Sequence, residues 1–352
     1  MKINANDCIY NTAAENKALR MRELRALRGP RNDLAYLPDV TRNDWPEDLG
    51  RLVFEDMELS SEPGHRQWIQ NLHKGDLVPR SPVVYRNVGF TGPDQQLKWG
   101  VRGFNPGDLF VSDCDFTAIK REHGMYISTG NNTSVKGSTF LRVGSQGLQF
   151  VNRDVAYQQY QPDNLTPSKH TSHLVEDCHF VDCGYKGDRP SFNLTYFDPG
   201  TNEYPATVKV KDSSFVSNWA TPGLKGNYST GGMVISHYNT EDPSVNPVGS
   251  VLIQNSLFDF SSGDRAIATI RGANTILIED SCFIARAHNL PFIDINSKTD
   301  FTAEHIFVKN CRSKNVKIRL WKDGDIIAQV HLDCPGTGYH IDGATGVVRR
   351  TA

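Results

Sequence analysis

"VLIQNSLF" (Val251–Phe258) and "ILIEDSCF" (Ile276–Phe283) are one eight-residue word written twice. Each has three apolar residues, a polar one, Asn or Asp, Ser, a variable residue and Phe. The word recurs as "VVYRNVGF" ending at Phe90, "LFVSDCDF" at Phe116, "TSVKGSTF" at Phe140, "HLVEDCHF" at Phe180 and "VKVKDSSF" at Phe215. Weaker copies flank the series, "LVFEDMEL" (Leu52–Leu59) before it and "HIFVKNCR" (His305–Arg312) after it. Phe90 and Phe116 are 26 residues apart, Phe116 and Phe140 are 24 apart, and Phe258 and Phe283 are 25 apart.

Each column of the word has a physical reading. A Phe recurring at one point of every copy is expected where rings stack in a shared interior. Before the small-residue column stands Asp56, Asn87, Asp113, Asp177, Asp212, Asn255, Asp280 or Asn310, residues suited to tight turns. The small column holds Cys114, Cys178 and Cys311 beside Ser213, Ser256 and Ser281, so these cysteines read as packed structural thiols. The mixed charges of Glu55, Arg86, Lys136, Glu176, Lys211, Glu279 and Lys309 mark a solvent face. A second strand follows most copies: "WGVRGF", "GMYIST", "GLQFVN", "GMVISHY", "AIATIRG" and "PFIDINS".

A unit of about 25 residues with short strands, turning at Asn or Asp and stacking like on like, predicts an all-β solenoid. The turn column, the Phe column and the "HGMYIS" strand start resemble the right-handed parallel β-helix of the pectate-lyase-like superfamily, over about residues 50 to 320. That resemblance implies a fold and leaves the activity open, because the superfamily hosts many activities. Its lyases use Arg or Lys as base, often with calcium; its glycosidases use clustered aspartates. The "WIDH" signature of pectate lyases and the paired-Asp and "GHG" motifs of polygalacturonases are absent, and no acidic cluster has calcium-site spacing.

The 352 residues carry a net charge of −2, without the basic stripe of a nucleic-acid binder. No apolar run of about 18 residues is present, so no membrane span is expected. The start, "MKINANDCIYNTAAENKALR", has no apolar signal region, which predicts action where the protein is made or exit inside a virus particle. Seven cysteines, an odd number, predict free thiols over a disulfide framework, and no cofactor or metal is expected.

The predicted organisation is an N-terminal cap over 1–50, a β-helix over 51–313 and C-terminal hairpins over 314–352. Residues 12–28 read as a helix, opened by a capping box (Thr12 with Glu15) and stopped at Gly29-Pro30, that would cover the solenoid's open end. "VKIRLWKDGDIIAQVHLD" reads as a hairpin around Asp323-Gly324, and "GYHIDGATGVVRR" as a second. They would cap the far end or form a subunit interface.

Three consecutive coils are long: 40 residues from Phe140 to Phe180, 35 to Phe215 and 43 to Phe258. Their extra segments, 153–171, 184–206 and 219–249, are expected to wall a groove. They carry the candidate glycan- or partner-binding residues Tyr157, Tyr160, Tyr185, Arg189, Tyr196, Trp219, Tyr228 and His237. Aromatic platforms with polar neighbours suit sugars and protein interfaces alike. Candidate bases are His123, beside Arg121 and Glu122, then Arg142 one coil on, and His170. His170, His173 and His179 fall near one turn but lack zinc-ligand spacing.

These features favour a non-enzymatic β-helix protein of a virus particle, a bacteriophage capsid-surface, tail or spike component assembled in host cytoplasm. Its partners would be other virion subunits or its own copies, as a homotrimer or another symmetric assembly, and a polysaccharide. The alternatives are a polysaccharide lyase or glycoside hydrolase working in the loop-walled groove, and a cellular carbohydrate-binding β-helix.

Overall fold

The computed structural model describes residues 52–59, 69–71, 83–91, 100–105, 108–117, 119, 122–129, 132–152, 172–185, 189–196, 206–218, 230–237, 248–261, 266–285, 292–296 and 303–351. The expected helix over 12–28 lies outside them. Among the described residues the regular structure is all strand, gathered into an 18-stranded and a 10-stranded sheet.

The repeated word is a strand, a corner and a short strand. Val248–Gln254 is followed by Asn255 and Ser256 and then Leu257–Phe260, while Ala273–Glu279 and Cys282–Ala285 repeat the plan one coil later. The repeat in sequence is a register in space. Val251 lies beside Ile276, Ile253 beside Ile278 and Phe258 beside Phe283, all in parallel pairing. Strands 25 residues apart become neighbours, as a solenoid requires.

The corner explains the Asn/Asp column. Asp56, Asn87, Asp113, Asp177, Asp212, Asn255, Asp280 and Asn310 all have φ between 46° and 56°, the left-handed region that these side chains tolerate better than others. The one copy without Asn or Asp, "TSVKGSTF", has Gly137 there at φ 58°. Where an Asn follows an Asp, the side chains bridge coils: Asn87 Nδ2 donates to Asp56 Oδ1 at 2.7 Å and Asn310 Nδ2 to Asp280 Oδ1 at 2.6 Å.

The small column satisfies buried backbone at the same corner. Ser213 Oγ donates to Lys211 O (2.7 Å) and accepts from Cys178 N (3.1 Å) in the preceding coil; Ser256 and Ser281 repeat this. Cysteine does the same work more weakly, Cys178 Sγ donating to Glu176 O at 3.3 Å. All six described cysteines are buried free thiols.

Next to the corner the Phe rings stack. From Phe90 through Phe283 the centroids of successive rings are 4.4 to 5.1 Å apart and the planes lie within 10°. That spacing follows from the ~4.8 Å separation of paired strands. Glycines precede several second-sheet strands because the rings press there: a Cβ on Gly124 would sit 3.1 Å from Phe140 and 2.5 Å from Gly147 O. Outside the column, Leu141, Val181 and Val216 make a smaller apolar cluster. The charged column is solvent-facing and pairs across coils, Arg86 with Glu55 at 2.7 Å and Lys136 with Glu176 at 2.8 Å. Such exposed pairs contribute only about 0–1 kcal/mol each.

The second sheet takes one strand per coil: Ile69–Asn71, Val101–Asn105, Met125–Thr129, Leu148–Asn152, Phe192–Tyr196, Thr230–His237, Ala266–Ile270, Phe292–Ile295 and Lys317–Lys322, in parallel order. Phe192–Tyr196 corrects the reading of 184–206 as one inserted loop. Phe192 and Leu194 alternate into the core, so the segment is a regular strand with connections on either side. Parallel order ends at the C-terminus. Asp325–His331 folds back on Lys317–Lys322 through Asp323 (φ 50°) and Gly324 (φ 87°), the left-handed pair of a tight hairpin. Gly338–Asp342 runs antiparallel to His305–Lys309, and Val348–Thr351 pairs antiparallel with it. Cys334 fills the next small-residue slot, accepting from Cys311 N at 3.4 Å. The hydrogen bond from the Cys311 thiol pulls Cys334 down to about 7 and pushes Cys311 up.

Candidate functional site

Alternation along the second sheet decides which residues leave the core. Met125 and Ile127, Leu148 and Phe150, Phe192 and Leu194, and Met233 and Ile235 are buried inside. The residues between them, Tyr126, Gln149, Asn193 and Val234, therefore face outward, in register across four coils. The same column continues through Thr269 and Asp294 to Arg319.

His123 joins this face. Its Nε2 lies 2.7 Å from Gln149 Oε1, its ring meets Tyr126 edge-on at 5.0 Å, and its Nδ1 is 3.6 Å from Glu122 Oε2. Both ring nitrogens thus face protein groups, and the side chain is 8% exposed. Two residues further along the strands, Thr195 Oγ1 and Ser236 Oγ are 3.4 Å apart. The phenol of Tyr126 and the amides of Gln149 and Asn193 are half-buried here, while the Thr195 and Ser236 hydroxyls are buried.

At the far end of the column the chemistry changes. Asp294 accepts from Arg319 Nε (2.6 Å) and Nη2 (2.7 Å) and from Trp321 Nε1 (3.1 Å). The guanidinium lies 3.7 Å over the Phe292 ring. Bidentate pairing and stacking satisfy a charge pair that is 5% and 8% exposed, so this cluster holds the last parallel strand to its neighbour.

The strands that precede the long segments lie in the middle of this face. Leu148–Asn152, Phe192–Tyr196 and Thr230–His237 are adjacent, and Asn152, Tyr196 and His237 are register partners at their ends. In sequence, 153–171, 197–205 and 238–247 follow those ends. The backbones of Tyr196 and His237 are therefore brought together. Tyr157, Tyr160, His170, Trp219 and Tyr228 lie outside the described residues.

The remaining candidates do not converge on His123. Arg142 is an exposed corner residue at φ 54°, after the short strand Thr139–Leu141, with Asp182 (φ 52°) at the equivalent corner of the next coil. Arg189 is exposed, and a Cβ on Gly184 would meet Arg189 O at 2.0 Å. Tyr185 is half-buried, and burial raises its phenol above the ordinary value. The neighbouring histidines separate across the corner. His173 takes an inward strand position, with Nδ1 2.8 Å from Thr133 Oγ1, and burial pushes it down to about 4. His179 stands beside the inward Phe180 and so faces the other way, with Nδ1 2.8 Å from Ser214 Oγ. Among the described residues no group of three or more His, Cys, Asp or Glu side chains is placed to hold a metal.

Tyr126, Gln149 and Asn193 were missed by sequence reasoning. Their signal was present: each is the second residue of an alternating strand, in "MYIST", "LQFVN" and "FNLTY". No family model, no curated protein and no solved structure matches the chain.

Proposed function

We propose that the chain is a right-handed parallel β-helix of pectate-lyase-like architecture serving as a non-enzymatic structural or surface protein of a virus particle. Its second-sheet face and long loops would contact a glycan or neighbouring subunits. The observation that carries this reading is that three strands running on into long segments end in register, beside the outward Tyr126, Gln149 and Asn193. Hydroxyl-rich sugars are bound by such amide, hydroxyl and aromatic groups, which need no net charge. The His123 imidazole is engaged by Gln149 and flanked by Glu122, an arrangement that fixes the orientation of the ring on this face. The six buried free thiols among the described residues suit assembly in a reducing cytoplasm. Lateral packing of solenoids into a homotrimer or another symmetric assembly would bury the loops between copies.

Incubating the protein with neutral and uronate-containing polysaccharides, with and without calcium, tests the proposal. Saturable binding without product, or a symmetric oligomer in light scattering, is the expected result. An ultraviolet-absorbing unsaturated product or new reducing ends, abolished by His123→Ala, Arg142→Ala or His170→Ala, would overturn it in favour of a lyase or hydrolase.

A further inference from the structure

Reversal of chain direction at the C-terminal end brings together two histidines 35 residues apart in sequence. His305 opens strand His305–Lys309, and His340 lies within Gly338–Asp342, antiparallel beside it. His305 pairs with Asp342 and Phe307 with His340, so the imidazoles meet on the diagonal of one outward face. His305 Nδ1 is 3.1 Å from His340 Nε2. Phe307 stacks on the His340 ring at 4.7 Å and 21°, which restrains its orientation.

The same separation suits a shared metal ion. Two nitrogens bound at 2.0–2.1 Å to a tetrahedral centre stand about 3.3 Å apart. Moving the proton between the rings to a far nitrogen, by a tautomer change in one imidazole, would turn both lone pairs inward with no change in charge. Asp342 is the register partner of His305 and two residues from His340. Both of its bonds from Thr345, N at 2.9 Å and Oγ1 at 2.7 Å, use Oδ1. Arg349 pairs with His340, and Lys309 ends the His305 strand. Affinity must therefore come from imidazole coordination, not from a negative field, which selects against calcium and magnesium.

We propose that His305 and His340 chelate one divalent transition-metal ion of the zinc, nickel and copper class. The bound ion would clip the antiparallel cap to the last parallel strand, and water would complete its coordination.

Calorimetric titration with NiCl2 and ZnCl2 of the wild type, His305→Ala, His340→Ala and, as a control, His331→Ala tests the site. The expected result is a saturable site weakened at least about tenfold by either of the first two changes and unchanged by the third. Affinity equal in all four proteins, or no saturable site in the wild type, would overturn the proposal. Paramagnetic resonance of the wild type with substoichiometric Cu2+ reads the ligands without any substitution. Coupling to two imidazole nitrogens is expected; one or none would overturn the site.

Discussion

The interior of the repeated word and the outward face of the second sheet obey opposite rules. Inside, each coil sets the same residue type at the same place, from Phe90 to Phe283. Outside, the second-sheet column runs Tyr126, Gln149, Asn193, Val234, Thr269, Asp294 and Arg319, seldom like on like. Packing accounts for the difference. An interior ring must match the rings above and below it at strand spacing, whereas an outward side chain need only avoid its neighbours. Repetition marks what holds the stack together, and variation marks where chemistry can be placed. His173 is the informative exception, a polar ring in an interior column that continues as Val208 and Val251 and meets Thr133 of the preceding coil.

The largest expected effect tests the interior. Phe180→Ala removes a ring stacked on both sides, by Phe140 and Phe215, and should cost about 3–5 kcal/mol in urea unfolding. A loss below about 1 kcal/mol would break the distinction between the two faces.

His173 sharpens it through pH. Its folded value of about 4 lies below the ordinary 6.5, so the fold binds the neutral ring and excludes the charged one. The contribution is complete above pH 6.5 and is lost as pH falls toward 4, on the order of 3 kcal/mol in all. His173→Val, copying Val208 of the next coil, should flatten that part of the profile. Identical pH profiles for the two proteins would contradict an interior imidazole.

The corner should respond more mildly. Asn255→Ala forces alanine to φ 46° and should cost about 1–2 kcal/mol, with Asn255→Gly costing less. Both changes lose the bridge to Asp212, so their difference isolates the backbone. Equal losses would assign the column to side-chain bonding instead. The smallest change is expected outside: Asn193→Ala should shift stability by about 0.5 kcal/mol or less while reducing any glycan affinity. A large destabilisation there would make the outward ladder structural.

The sequence by itself determined the coil. A left-handed corner demands Asn, Asp or Gly and a ring stack demands Phe, so both are written locally, copy after copy, as is the Asp323-Gly324 hairpin. It also marked the coils that carry the long segments. Only the tertiary structure decided which distant residues face one another, because that depends on register between coils and on where the chain reverses. The pleat buries His173 and sends His179 out, though they lie six residues apart. Coil stacking sets His123 on Gln149 from the next coil, beyond the reach of any local motif. The strand Phe192–Tyr196 hid inside an apparent insertion because its outward residues are polar and its flanks are long. His305 meets His340 only because the last strands run backward, a change of direction that leaves no mark on either histidine's own neighbourhood.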